Sequence, residues 1–204
     1  MVRVKICGIT SVPDACAAMD FGADAIGVVF AKSPRRVSVK ITEKISRCVG
    51  PWISVVGVFV NESPQAVQRI ARECGLSSVQ LHGCETMRAV DDIKGVKVIK
   101  TFHVDRDFDP ADFKKYDSAD AFLFDTKIGA KIGGTGVLFD WKLLKKYRID
   151  KPLIVSGGLH PGNVARAVEF FRPYGVDVSS GVEKSPGKKD LKLMREFIRN
   201  AKFF

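Results

Sequence analysis

Ala25-Ile26-Gly27-Val28-Val29-Phe30 is an unbroken apolar run with no polar alternation. A strand with one wet face alternates, so near-continuous apolarity marks a strand covered on both faces, as in a parallel sheet. Short β-branched runs recur in seven further segments, residues 2–6, 52–59, 78–81, 96–101, 121–124, 152–155 and 175–178, and the set as a whole is largely apolar. Between them lie segments with helical spacing at 14–21, 39–49, 64–74, 85–93, 140–147, 161–171 and 191–201. The last is the clearest, because Met194, Phe197, Ile198 and Ala201 form one stripe and Asp190 stands at the N-cap position. Pro64 and Pro161 sit where a helix begins, a position that tolerates a missing N–H.

Strand and helix alternate along the whole length with no linker or low-complexity stretch, so residues 1–204 read as one domain. Eight β units predict an α/β fold of the closed (β/α)8-barrel type rather than an open doubly wound sheet. The fifth unit is the weakest. Residues 102–119 hold Pro110 and several Asp, so its helix is expected to be short, near 111–116, or irregular.

Hydrophobic residues make up 46% of the chain and charged residues 27%, the composition of a globular protein. The start carries no apolar region behind a basic one, and the longest apolar runs fall far short of spanning length. Neither secretion nor membrane insertion is indicated. Cys7, Cys16, Cys48, Cys74 and Cys84 form an odd set without a C-x-x-C pair, which suits neither a disulfide framework nor a zinc site. They read as reduced thiols, mostly small core fillers, in a cytoplasmic protein. The net charge is +10. Its basic residues are scattered, with Lys114-Lys115, Lys145-Lys146 and Lys188-Lys189 as the densest clusters, and no aromatics interleave with them. A solvated face and a bias toward small anions follow, rather than a nucleic-acid groove.

In a barrel the chemistry gathers where strands end, because the βα loops converge there on one mouth. Those ends are rich in polar residues and glycine. They include Lys5-Ile6-Cys7-Gly8-Ile9-Thr10, Ser33-Pro34-Arg35-Arg36-Val37-Ser38, Gly57-Val58-Phe59-Val60-Asn61 and Gln80-Leu81-His82-Gly83. Further along come Asp125-Thr126, Gly133-Gly134-Thr135-Gly136 and Ser156-Gly157-Gly158-Leu159. The series closes with Asp177-Val178-Ser179-Ser180-Gly181-Val182-Glu183 and Pro186-Gly187-Lys188-Lys189-Asp190.

This ordered set, spread over nearly the whole chain, closely resembles phosphoribosylanthranilate isomerase, the barrel enzyme of tryptophan biosynthesis. The resemblance implies an Amadori rearrangement of N-(5-phosphoribosyl)anthranilate to 1-(o-carboxyphenylamino)-1-deoxyribulose 5-phosphate, with no cofactor and no metal. It further implies Asp125 as the general acid that protonates the ring oxygen and Cys7 as the base that removes the C2′ proton. An acid role at neutral pH asks that Asp125, with a free pKa of about 3.9, be desolvated or crowded by negative charge. A base role asks that Cys7 be a thiolate, although its free pKa is about 8.5. Lys5 shares the strand face of Cys7 and is expected to supply part of the needed field, itself paired with Asp177.

Phosphate is expected at Gly157, Gly158, Ser179, Ser180 and Gly181, since barrels often bind it with the loops after their last two strands. Arg35 matches the family's grip on the anthranilate carboxylate, with Arg36 as the neighbouring alternative. Gln80, His82 and Asp177 are assigned to the substrate pocket. His82 reads as a positioning residue and not a metal ligand, because neither His103 nor His160 has the spacing to join it. The glycine-rich loop at 133–136 lacks the G-K-[ST] ending of a P-loop and reads as a lid. A small phosphorylated substrate, no nucleic acid, no membrane and a monomer or homodimer complete the expectation. Two rivals stand beside it. A histidine-pathway isomerase barrel would need a pair of aspartates at the ends of strands one and five or six, where only Asp125 is present. A basic module without catalysis would instead bind nucleic acid in a salt-dependent way.

Overall fold

A computed structural model of the chain describes residues 1–104, 113, 115–125 and 149–203. The expected helix at 140–147, the loop at 133–136, Thr126 and half of the expected fifth helix (111, 112 and 114) lie outside the described residues.

Eight parallel strands close into a barrel in sequence order. They are β1 (Arg3–Cys7), β2 (Ala25–Val29), β3 (Ser54–Phe59), β4 (Ser78–Leu81), β5 (Lys97–His103), β6 (Ala121–Asp125), β7 (Leu153–Ser156) and β8 (Gly175–Val178). Among the described residues six helices accompany them: α1 (Val12–Asp20), α2 (Val39–Val49), α3 (Pro64–Cys74), α4 (Met87–Asp91), α5 (Val164–Phe171) and α6 (Leu191–Lys202). The fold is the expected (β/α)8 barrel.

Alternation along each strand divides the core in two. Outward residues such as Val4, Ile6, Ile26 and Val55 join the helix faces in the main cluster, while Val56, Ile99, Ala121, Leu123 and Ile154 form a separate cluster inside the barrel. Phe197 of α6 is fully buried against the outer layer, worth about 1.5–3 kcal/mol relative to an exposed side chain. Ser11, Ser38, Ser63 and Thr86 each cap a helix by accepting from a backbone N–H three residues on.

Two helices start later than their spacing suggests. The Asn163 side chain accepts from the His160 N–H and donates to the Gly158 carbonyl, closing a turn that holds back α5. Glu85 is drawn into the loop before α4, where its carboxylate accepts from the Asn61 and Gly83 N–H groups and from Lys100.

Two readings are corrected. Cys16 of α1 and Cys48 of α2 form a disulfide across 32 positions, so these two thiols are neither reduced nor core fillers. The pairing was invisible because it depends on two helices lying side by side on the outside of the barrel. Cys7 and Cys74 are free and buried, and Cys84 is free and exposed. Lys189, read as part of a solvated pair, is buried. It belongs to a small antiparallel hairpin, β9 (Glu183–Ser185) with β10 (Lys188–Lys189), that folds over the end of the barrel. No described helix is long and apolar enough to cross a membrane.

Candidate active site

Cys7 ends β1 and Asp125 ends β6, so both stand at the C-terminal pole of the barrel. A continuous series of polar contacts joins their neighbourhoods. Lys5, buried inside the barrel, lies 3.2 Å from Asp177 Oδ1, the expected pairing, and donates to Gln80 Oε1 at 2.5 Å. Gln80 Nε2 meets Thr101 Oγ1 at 3.3 Å and His82 Nδ1 at 2.9 Å. His82 Nε2 in turn lies 3.3 Å from Asp125 Oδ2.

Gly27 makes room for this arrangement. A Cβ there would stand 2.7 Å from Cys7 Sγ and 3.0 Å from Lys5 Cε, so the strand opposite Cys7 must carry no side chain at that point. Gln80 and Asp177 are buried, and their polar atoms face Lys5, His82, Thr101 and Ser156. Their geometry suits them to hold other groups of the site in place.

The electrostatics depart from expectation at Cys7. Burial pushes its thiol up, and the opposing pull of Lys5 and Lys189 does not cancel it, so the resting form is the thiol rather than the thiolate. Burial also works against the Lys5 ammonium, but charge and hydrogen bonding, those of Asp177 foremost, outweigh it and hold the amine above its ordinary value.

Gly8, with φ +75°, is the junction between three loops. A Cβ on it would lie 2.6 Å from Arg35 Cδ and 3.0 Å from Ser179 Oγ, which sets the end of β1 against the loops after β2 and β8. The Arg35 guanidinium is held bidentately by Glu183, Nε to Oε1 at 2.8 Å and Nη2 to Oε2 at 2.6 Å. Arg36 is exposed. Lys189 Nζ donates to the Cys7 carbonyl at 2.6 Å, the Ser179 carbonyl at 3.1 Å and Glu183 Oε1 at 3.0 Å. Burial raises the Glu183 carboxyl, but Arg35 and Lys189 outweigh it and hold it below its ordinary value. The sequence reading singled out neither Glu183 nor Lys189 for the site.

The loops after β7 and β8 are pressed together, since a Cβ on Gly181 would lie 1.9 Å from the Leu159 carbonyl oxygen. Gly157 and Gly158 have φ +89° and +63°, conformations open to glycine. Ser180 begins a short 3-10 turn that ends at Val182. Gly157, Gly158, Ser179, Ser180 and Gly181 thus surround one corner of the mouth.

His103 does join His82, against the reading of its spacing. The register pairs His103 with Asp125, and the two imidazoles meet edge to face with centroids 5.1 Å apart. His82, His103 and Asp125 bring ring nitrogens and a carboxylate oxygen within 4.8 Å of one another. At the opposite pole Arg3, Asp24, Ser54, Lys97 and Tyr174 surround a cavity of about 410 Å³. Lys97 pairs there with Asp120 at 2.6 Å and Lys202 with Asp24 at 2.8 Å, which fits a face that serves stability.

Comparison with known proteins agrees with this geometry. The family model described as N-(5'phosphoribosyl)anthranilate (PRA) isomerase matches residues 4–200. The N-(5'-phosphoribosyl)anthranilate isomerase of Thermotoga neapolitana is 47% identical over 208 residues, covering 99% of both chains. Among solved structures, monomers of the dimeric phosphoribosylanthranilate isomerase of Thermotoga maritima superpose with a TM-score of 0.88 at 40% identity, covering 100% of both chains. A phosphoribosylanthranilate isomerase in complex with reduced 1-(o-carboxyphenylamino)-1-deoxyribulose 5-phosphate gives a TM-score of 0.87 at 41% identity, again over 100% of both chains. With a family model spanning almost the entire barrel and a full-length relative at such identity, the chain belongs to the phosphoribosylanthranilate isomerase family of tryptophan biosynthesis.

Proposed function

We propose that this chain, acting as one catalytic domain, isomerises N-(5-phosphoribosyl)anthranilate to 1-(o-carboxyphenylamino)-1-deoxyribulose 5-phosphate by general acid–base catalysis. Asp125 gives a proton to the ribose ring oxygen as its C–O bond breaks, leaving a Schiff base. Cys7 takes the C2′ proton, and the electron pair of that C–H bond moves toward the nitrogen to give the enamine, which tautomerises to the ketone. The observation that carries this reading is the unbroken line of contacts from Lys5, beside Cys7, through Gln80 and His82 to Asp125.

The remaining residues fall into place around that line. Gly157, Gly158, Ser179, Ser180 and Gly181 receive the phosphate, where glycine lets the backbone approach and the serine hydroxyls add donors. Arg35 receives the anthranilate carboxylate and stays anchored by Glu183, its fork leaving further N–H groups free of that carboxylate in the geometry of a guanidinium. Burial raises the Cys7 thiol, and Lys5 and Lys189 are the cations that favour its thiolate. The chain works in the cytoplasm as a monomer or homodimer. The Thermotoga maritima relative, a dimeric enzyme also solved as monomers, supports that pair of states.

The test follows the loss of substrate fluorescence with freshly made phosphoribosylanthranilate. Cys7→Ala and Asp125→Ala are each expected to lose about 10²-fold or more in kcat, the scale of one general acid or base. Wild-type-like turnover in either variant would remove that residue from the proton transfers.

A further inference from the structure

The amide of Gln80 has one possible orientation. Lys5 Nζ carries only hydrogens, and it approaches the Gln80 side chain at 2.5 Å, so the atom it meets must be the carbonyl oxygen. The charge on Lys5 is secured by Asp177 at 3.2 Å, and both side chains are only 6% exposed. The NH2 end of Gln80 therefore points the other way. One of its hydrogens goes toward Thr101 Oγ1 at 3.3 Å and the other toward His82 Nδ1 at 2.9 Å.

An NH2 group has nothing to accept with. His82 Nδ1 must therefore present its lone pair, and the ring hydrogen sits on Nε2, which lies 3.3 Å from Asp125 Oδ2. We propose that Gln80, oriented by the Lys5–Asp177 pair, is a positioning residue that locks His82 in the Nε2–H tautomer and so gives Asp125 a fixed hydrogen-bond donor. This rests on the isomerase reading of the site and deepens it.

The consequence is chemical. When Asp125 gives up its proton to the departing ring oxygen, the carboxylate left behind already faces a donor aimed at Oδ2. The oxygen that faces Nε2–H is occupied, so the transferable proton belongs on Oδ1. A ring in the other tautomer would turn a lone pair toward Oδ2, repelling the carboxylate and accepting only from the protonated acid, so it would oppose the proton transfer. The same lock couples the two halves of the site, since the pair beside Cys7 also sets the donor beside Asp125.

The chain has three histidines, so the imidazole nitrogens of His82 can be assigned by 15N NMR with His103→Gln and His160→Gln as references. In the wild type the Nε2 resonance is expected in the protonated range and Nδ1 in the unprotonated range. Gln80→Glu replaces the NH2 by a second acceptor, and is expected to move the hydrogen to Nδ1 and lower kcat by about 10- to 100-fold, the worth of one hydrogen bond to a charged group, with KM little changed. Gln80→Met removes the lock without reversing it and is expected to give a mixture of tautomers. His82→Gln, whose amide NH2 can stand where Nε2–H stood, is expected to retain more activity than His82→Ala. A wild-type ring carrying its hydrogen on Nδ1 would overturn the proposal, and so would Gln80 variants that leave both tautomer and kcat unchanged. If the tautomer stood as assigned while the wild-type chain failed to turn over phosphoribosylanthranilate, the isomerase reading would fall and the lock would remain.

Discussion

The buried ammonium of Lys189 donates to the main-chain carbonyl of Cys7 across 2.6 Å, joining residues 182 positions apart. It also holds the Ser179 carbonyl and Glu183, and Glu183 holds Arg35. One side chain thus ties the end of β1 to the loops that surround the expected phosphate and carboxylate positions. Lys189→Met keeps the length of the side chain and removes the donors. It is expected to cost about 3 kcal/mol or more in urea unfolding, because two carbonyls and a carboxylate lose a buried partner. KM should rise along with this loss, since Arg35 and the Ser179 loop are positioned through the same contacts. A KM equal to the wild type's would confine the residue to stability.

The raised Cys7 thiol has a consequence for pH. A base that must be deprotonated works only in the fraction of molecules that carry the thiolate, and burial makes that fraction smaller at neutral pH. The rate should therefore climb with pH, with an ascending limb in kcat/KM centred above the ordinary thiol value of about 8.5. Lys5→Met removes the cation with the larger pull on the thiol and should move that limb further toward alkaline pH. A limb centred near neutrality in the wild type would mean that the thiolate is already favoured in the free enzyme.

Gly27 is expected to be intolerant for a steric reason alone. Gly27→Ala would place its methyl group 2.7 Å from Cys7 Sγ and 3.0 Å from Lys5 Cε. One of them must move, and displacement of a reacting group by about 1 Å is enough to cost on the order of 10²-fold in rate. The far-UV circular dichroism should remain that of the wild type, which separates this effect from unfolding.

The parts of this molecule that were legible in the sequence are those governed by local composition. Segments such as Ala25–Val29 and Ser54–Phe59 announce themselves because a strand covered on both faces must be apolar nearly throughout. Cys7 and Asp125 were findable because the barrel rule points to strand ends, and the motif order named them. What escaped was set by proximity between distant elements. His103 meets His82 only through the strand register, Lys189 is buried only because a hairpin folds back over β1, and Gly27 matters only because it lies opposite Cys7. No spacing within one segment carries such information.

The Cys16–Cys48 disulfide shows the same limit and invites a measurement. Closing a loop across 32 positions restricts the unfolded chain by about 3–4 kcal/mol in the chain-entropy view. Thermal melts with and without reductant should differ accordingly, and the double variant Cys16→Ser/Cys48→Ser should match the reduced protein. Activity at moderate temperature should be unaffected, because both helices lie outside the barrel. Identical melts under oxidising and reducing conditions would show that the bridge contributes nothing to stability.

Glu85 and Lys100 form a fully enclosed ion pair at the mouth, 2.6 Å apart with side chains 2% and 3% exposed. The carboxylate also accepts from the Asn61 and Gly83 N–H groups, so it anchors the loops that follow β3 and β4, the second of which carries His82. Burial alone would raise the Glu85 carboxyl, but Lys100 and the Asn61 N–H outweigh it and hold it below its ordinary value. A carboxyl lowered by folding contributes stability that is complete above its unfolded pKa of about 4.3 and is lost as pH falls through the folded value. Glu85→Gln should therefore lower stability at neutral pH by about 3–5 kcal/mol, since it leaves the Lys100 ammonium buried without its countercharge. Its stability should then depend less on pH in the acid range than the wild type's. The double variant Glu85→Gln/Lys100→Met removes the stranded charge and should recover part of the loss. Equal acid sensitivity in wild type and Glu85→Gln would place the acid-labile carboxylates elsewhere in the molecule.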